Sequence, residues 1–170
     1  GYRGVLSHNA VTLAEALKKV GYHTAMVGKW HLSPTKNSLE NALWVSGLKD
    51  LGRFSDPATY PVNRGFDEHW GTIWGVVNFF DPFSLIHNTT PMESIPENFY
   101  YTDELNDRAA GYIERYSQDD KPFFIYVAHA APHWPLHALP KDIEKYTDTY
   151  QQGWDSVRKA RYQKMIEIGL

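Results

Sequence analysis

The 170-residue sequence contains no cysteine. Disulfides, thiolate metal sites and a cysteine nucleophile are therefore excluded within these residues, and the redox compartment is left open. No apolar run approaches the ~18–20 residues that a helix needs to cross a bilayer. A large excess of one charge is missing too. The formal net charge is -3, which argues against nucleic acid or an anionic membrane as the main partner. Gly1-Tyr2-Arg3-Gly4 offers neither an initiator methionine nor the basic-then-apolar pattern of a signal peptide. It reads as a cut through a loop, so an internal segment of a longer protein is expected. No internal repeat or low-complexity tract is visible. What the chain does have is eight histidines and a 15% aromatic share, the makings of a polar, ring-lined site. Its length suits one domain, 1–170, with a real core.

The stretch from Tyr22 to Leu32, Y-H-T-A-M-V-G-K-W-H-L, organises the rest. Upstream, Thr12 and Glu15 have the spacing of a capping box. A helix is predicted through Leu13, Ala16, Leu17 and Val20, with Gly21 as its left-handed stop. Tyr22 to Val27 reads as a buried strand bounded by glycines. In an extended chain Lys29 and His31 would point one way and Trp30 the other. Two nitrogen donors backed by an indole then form a receptor for an oxyanion.

Further along, 38–51 has helical apolar spacing, weakened by Gly47. Arg64-Gly65-Phe66-Asp67-Glu68-His69-Trp70-Gly71 reads as a structured loop, Thr72 to Phe80 as a second strand, and 81–101 as a long loop. Thr102 is the expected N-cap of a helix with Asp103 and Glu104 in its first turn. Leu105, Ala109, Tyr112, Ile113 and Tyr116 form its apolar stripe. Phe123 to Ala128 is a near-continuous apolar run of the kind found in parallel strands covered on both faces. A short helix near 142–146 and a longer one over 154–168, ending at Gly169, close the chain. A histidine cluster after each helix–strand pair suggests an α/β layered sheet.

His129, His133 and His137 stand four apart, but Pro132 and Pro135 forbid the helix that would turn them into a metal-binding stripe. For any one of them alone, an ordinary hydrogen-bonded loop histidine is the simpler reading. Position is what raises the cluster above that reading. Open α/β sheets bind ligands beyond the carboxyl ends of their strands, and both clusters lie at such ends. Lys29, His31 and His133 on one rim would make a cationic pocket for a tetrahedral anion.

The residues from Leu13 through Gly28-Lys29-Trp30-His31-Leu32 resemble the second signature of the sulfatases, most closely bacterial arylsulfatases. Arg64-Gly65-Phe66-Asp67 and the stretch from Pro122-Phe123-Phe124 to Pro132-His133-Trp134-Pro135 recur in that family in the same order. The resemblance implies an α/β alkaline-phosphatase-like sandwich, here in part, with a mostly parallel sheet flanked by helices. It implies hydrolysis of sulfate monoesters by a formylglycine nucleophile and Ca²⁺. By the same resemblance Lys29 holds a sulfate oxygen, and His31 hydrogen-bonds the formylglycine hydroxyl. His133 lies beside the leaving oxygen and donates to it. Lys29, His31 and His133 are thus the expected catalytic residues, with Lys29 and His133 also binding substrate. The expected partner is a sulfated small molecule or glycan, and the expected location is secreted, periplasmic or lysosome-like.

The chain also departs from the family pattern. The Cys- or Ser-Pro-Ser-Arg nucleophile motif, the acidic calcium ligands and a second lysine have no counterpart here. The formylglycine and the Ca²⁺ ligands are accordingly expected outside this chain, which is expected to be inactive alone. Which residue of 75–78 replaces the polar group that often follows the Arg64–Asp67 match is open. Two rivals remain. One is a phosphodiesterase or phosphonate hydrolase of the same superfamily, since the fold does not separate them. The other is a non-catalytic oxyanion- or glycan-binding module using the aromatic stretches 66–83 and 99–101.

Overall fold

The computed structural model describes residues 4–34 and 54–170. The helix expected over 38–51 lies outside the described residues. The chain divides into two compact units, Gly1–Leu136 and His137–Leu170.

The first unit is built on a five-stranded mixed sheet. Its strands are β1 (His23–Gly28), β2 (Glu68–Thr72), β3 (Leu85–His87), β4 (Thr90–Pro91) and β5 (Phe123–Ala128), in the order β4-β3-β2-β1-β5. β1 is central and runs parallel to both β2 and β5, while β3 and β4 add antiparallel strands on the far side. Side-chain alternation explains why the middle of β1, residues 25–27, is apolar on both faces. Ala25 and Val27 enter one core with Trp70, Leu105, Tyr112 and Tyr116. Met26 enters the other with Trp30, Phe66 and Ile86. A strand covered on both faces has no solvent side on which to put polar residues.

Helix α1 (Leu13–Lys19) covers one face. Its capping box is complete: Thr12 Oγ1 accepts from the Glu15 backbone N–H (3.0 Å), and Glu15 Oε2 accepts from the Thr12 N–H (2.8 Å). Helix α2 (Tyr101–Tyr116) covers β1 and β5 on the other, burying Tyr101, Leu105, Ala109, Tyr112 and Tyr116. Ile113, counted in the expected stripe, is 49% exposed.

Four expectations change. The second strand is 68–72, not 72–80, because Trp30 and His31 take the Thr72 and Ile73 carbonyls and the chain bends away. The loop 81–101 contains the β3–β4 pair, turning at Asn88 in left-handed conformation (φ 57°). Tyr100, not Thr102, occupies the N-cap of α2, without a side-chain hydrogen bond. β5 is an edge strand of the described sheet, with Phe123, Tyr126 and Val127 exposed rather than covered on both faces.

The second unit holds α3 (Pro140–Glu144), α4 (Thr147–Tyr150) and α5 (Trp154–Glu167), with no residue fully buried. No helix among the described residues is long and apolar enough to cross a membrane.

Candidate active site

β1 ends at Gly28, whose φ of 108° suits glycine. A Cβ there would sit 2.0 Å from the Ala128 carbonyl oxygen. That close approach lets the next three residues be tied on both sides. The Lys29 N–H donates to Ala128 O at the end of β5 (2.9 Å). The Trp30 and His31 N–H groups donate to Thr72 O (2.9 Å) and Ile73 O (3.0 Å) just past β2. The Trp30 indole is buried and donates to Thr59 O at 2.9 Å. Lys29 and His31 stay half-buried. Trp30 is thus buried while Lys29 and His31 on either side of it are not, as alternation along an extended chain predicts. His31 has φ 58°, a left-handed backbone that non-glycine residues rarely adopt, and such strain clusters at functional sites.

β5 pairs with β1 in register, Gly28 opposite Ala128, so the loops that follow leave from the same end of the sheet. The β5 loop carries His133, which is exposed. Its Nδ1 donates to the Trp134 carbonyl oxygen at 2.7 Å. Since a carbonyl only accepts, that nitrogen carries a proton. Burial holds the His31 pKa below its ordinary value, and the charges of Lys29 and His133 push it the same way. The three expected residues therefore lie close enough for their charges to interact. His129 is exposed in the same loop, and His137 falls in the second unit.

The Arg64–Asp67 segment is a brace rather than a site. The Arg64 guanidinium donates to Glu15 Oε1 (3.0 Å) and to the Leu6 and Ala10 carbonyls (3.0 Å each). Thr12 Oγ1 donates to Arg64 O (2.7 Å). The Asp67 carboxylate accepts from the Thr24 N–H (2.9 Å) and pairs with Lys18 (2.6 Å). These bonds fasten α1 and the start of β1 to the start of β2. Gly65 is needed in the middle: its φ is 100°, and a Cβ would lie 2.2 Å from the Glu15 nitrogen.

Three further residues that no sequence motif marks surround the site. His69 is fully buried on β2, and its Nε2–H donates to Gly28 O (3.2 Å), directly before Lys29. Trp74 meets the His31 ring edge-on, with centroids 5.3 Å apart. Gly75 lies against the His31 ring. An isolated glycine in a strand-like run signals close approach, which was the available clue for Gly75.

A family model for the sulfatases matches residues 2–167. The chain belongs to the sulfatase family. An uncharacterized sulfatase of Schizosaccharomyces pombe is 30% identical over 185 residues, covering all of this chain and 29% of that protein. The arylsulfatase of Klebsiella aerogenes is 26% identical over 180 residues, covering all of this chain and 34% of that protein. Among solved structures, Ps i-CgsB in complex with k-i-k-neocarrahexaose superposes with a TM-score of 0.65 at 25% identity, over 87% of this chain and 32% of that one. The fold is the alkaline-phosphatase-like α/β fold of the sulfatases, and the chain spans about a third of the length of these relatives.

Proposed function

We propose that residues 1–170 form part of a single sulfatase catalytic domain that hydrolyses sulfate monoesters, with Lys29, His31 and His133 as its catalytic groups. The observation that carries this reading is positional: Lys29 and His31 directly follow β1, His133 lies in the loop after β5, and Gly28 pairs with Ala128, so both loops leave the same end of the sheet. There burial and the charges of Lys29 and His133 lower the His31 pKa. Gathering cationic groups by folding costs repulsion, which an anion bound among them would offset. In sulfuryl transfer, charge spreads over the oxygens around sulfur, and a cation fixed beside them lowers the barrier. Lys29, its backbone bonded to β5, serves that purpose and binds the ground-state sulfate as well. His133 contacts substrate too. We assign its Nε2 as the donor to the leaving oxygen, which needs a proton as the S–O bond breaks. His31, with its lowered pKa, is neutral near pH 7 and can accept a proton from an adjacent hydroxyl.

The calcium ion and formylglycine implied by the family do not fit the groups in hand. Among the described residues no cluster of three or more His, Cys, Asp or Glu is placed to hold a metal, and no cysteine exists to become formylglycine. We assign both to polypeptide outside these 170 residues. The substrate class we favour is a sulfated small molecule or glycan, a choice supported by the oligosaccharide bound to Ps i-CgsB.

The test is steady-state hydrolysis by the full-length protein. Lys29→Ala and His133→Ala should each lower kcat on 4-nitrophenyl sulfate by ~10²–10⁴. Near-wild-type turnover in either variant removes that residue from the site. Comparison with 4-nitrophenyl phosphate checks the reaction class: faster phosphate hydrolysis would favour a phosphoesterase.

A further inference from the structure

We infer that Gly75 is a positioning residue for His31, whose imidazole fills the space that a side chain at position 75 would occupy. The inference rests on the catalytic reading of His31 given above. A Cβ built on Gly75 would lie 2.1 Å from His31 Nδ1 and 2.4 Å from both Cγ and Cε1. Those three atoms span one side of the ring, so the imidazole lies flat against the Gly75 backbone. The conflict is not with a flexible side-chain tip but with a ring whose backbone is itself fixed. Three consecutive residues hold His31: Ile73 O accepts its N–H at 3.0 Å, Trp74 meets its ring edge-on, and Gly75 supports its face.

Alternative reasons for a glycine here are weaker. Gly75 does not adopt a positive φ, so its backbone conformation is open to alanine. The obstacle to a side chain is the imidazole. A methyl group at 75 would move the ring by roughly the 1 Å scale that costs about 10²-fold in rate when a catalytic group is misplaced. It would also push the ring toward water, relieving the burial that leads the lowering of its pKa.

The test compares Gly75→Ala, His31→Ala and the double variant in the full-length protein, with 4-nitrophenyl sulfate as substrate. Gly75→Ala should lower kcat by ~10²-fold with KM nearly unchanged, and should shift the His31 limb of the pH profile to higher pH. On the His31→Ala background the same change should add no further loss, because the ring it displaces is gone. Wild-type kcat in Gly75→Ala, or a loss that multiplies with that of His31→Ala, overturns the inference. Near-wild-type turnover in His31→Ala itself would instead remove the catalytic reading on which it rests. If Gly75→Ala fails to fold, the double variant decides. Melting together with His31→Ala supports the collision, and failing to fold as well overturns it.

Discussion

His69 is fully buried, yet its chemistry ties it to the candidate site. Its Nε2–H donates to Gly28 O, while among the described residues its Nδ1 has no hydrogen-bond partner. Burial lowers its pKa to about 4; the bond to Gly28 works against that shift and the His87 charge adds to it. The unfolded chain takes up a proton at this residue near pH 6.5, and the folded one does so only near pH 4. Between those values the unfolded state binds more protons, so stability rises with pH and is lost on acidification, by up to ~3 kcal/mol. His69→Gln removes the titration and keeps an N–H for Gly28 O. Urea unfolding of the full-length protein from pH 7 to 4.5 should show a flatter pH dependence in the variant; parallel curves would place the titration elsewhere. None of this was legible in the sequence, where His69 was one ring in a charged, aromatic run. Lys29 and His31 were legible because they directly follow a recognisable strand. Gly75 offers only the general clue of a glycine in a strand-like run, since what identifies its role is a ring 44 positions away in the chain.

At the level of elements, local signals were read correctly where their partners lie within one turn. The α1 capping box is such a case, since Thr12 and Glu15 satisfy each other three residues apart. The folded chain gives the same hydroxyl a second partner. Thr12 Oγ1 also donates to Arg64 O, so the cap links the helix to the brace before β2. Thr12→Ala should therefore cost ~1–2 kcal/mol, the upper part of the range for an N-cap, and Thr12→Ser should recover most of it. Urea midpoints of the two variants check this. A loss confined to a few tenths would mean that water replaces the hydroxyl at both sites. Signals failed where distant pairing decides the outcome. The residues 72–80 are rich in β-branched and aromatic side chains, but the Trp30 and His31 N–H groups take the Thr72 and Ile73 carbonyls. Thr102 had the right side chain for a cap, but burial of Tyr101 in the core sets where α2 starts. The apolar run of β5 gave its type and its parallel pairing to β1, though not its edge position.

For the whole molecule, the ordered set of motifs made both the family and its α/β fold legible, because each motif sits where the fold needs it. One leaves β1, one braces α1 against β2, and one follows β5. Catalysis asks more than these three provide. In the function proposed, Lys29, His31 and His133 would supply positive charge and proton transfer, but a sulfuryl group also needs an attacking nucleophile. No cysteine is present to be modified, and no cluster among the described residues is suited to a metal. The chain also covers only 29% to 34% of the curated relatives compared above. We therefore expect the purified 170-residue chain to release no 4-nitrophenol from 4-nitrophenyl sulfate above a buffer control, and millimolar Ca²⁺ to leave its melting temperature unchanged. Sulfate ion offers a separate check: competition with a coloured oxyanion probe should weaken in Lys29→Ala if the cationic rim forms without the rest of the enzyme. Turnover by the isolated chain would show that a nucleophile lies within these residues. Calcium-dependent stabilisation would place metal ligands here as well, and the division of labour proposed between this segment and the remainder of the enzyme would fall.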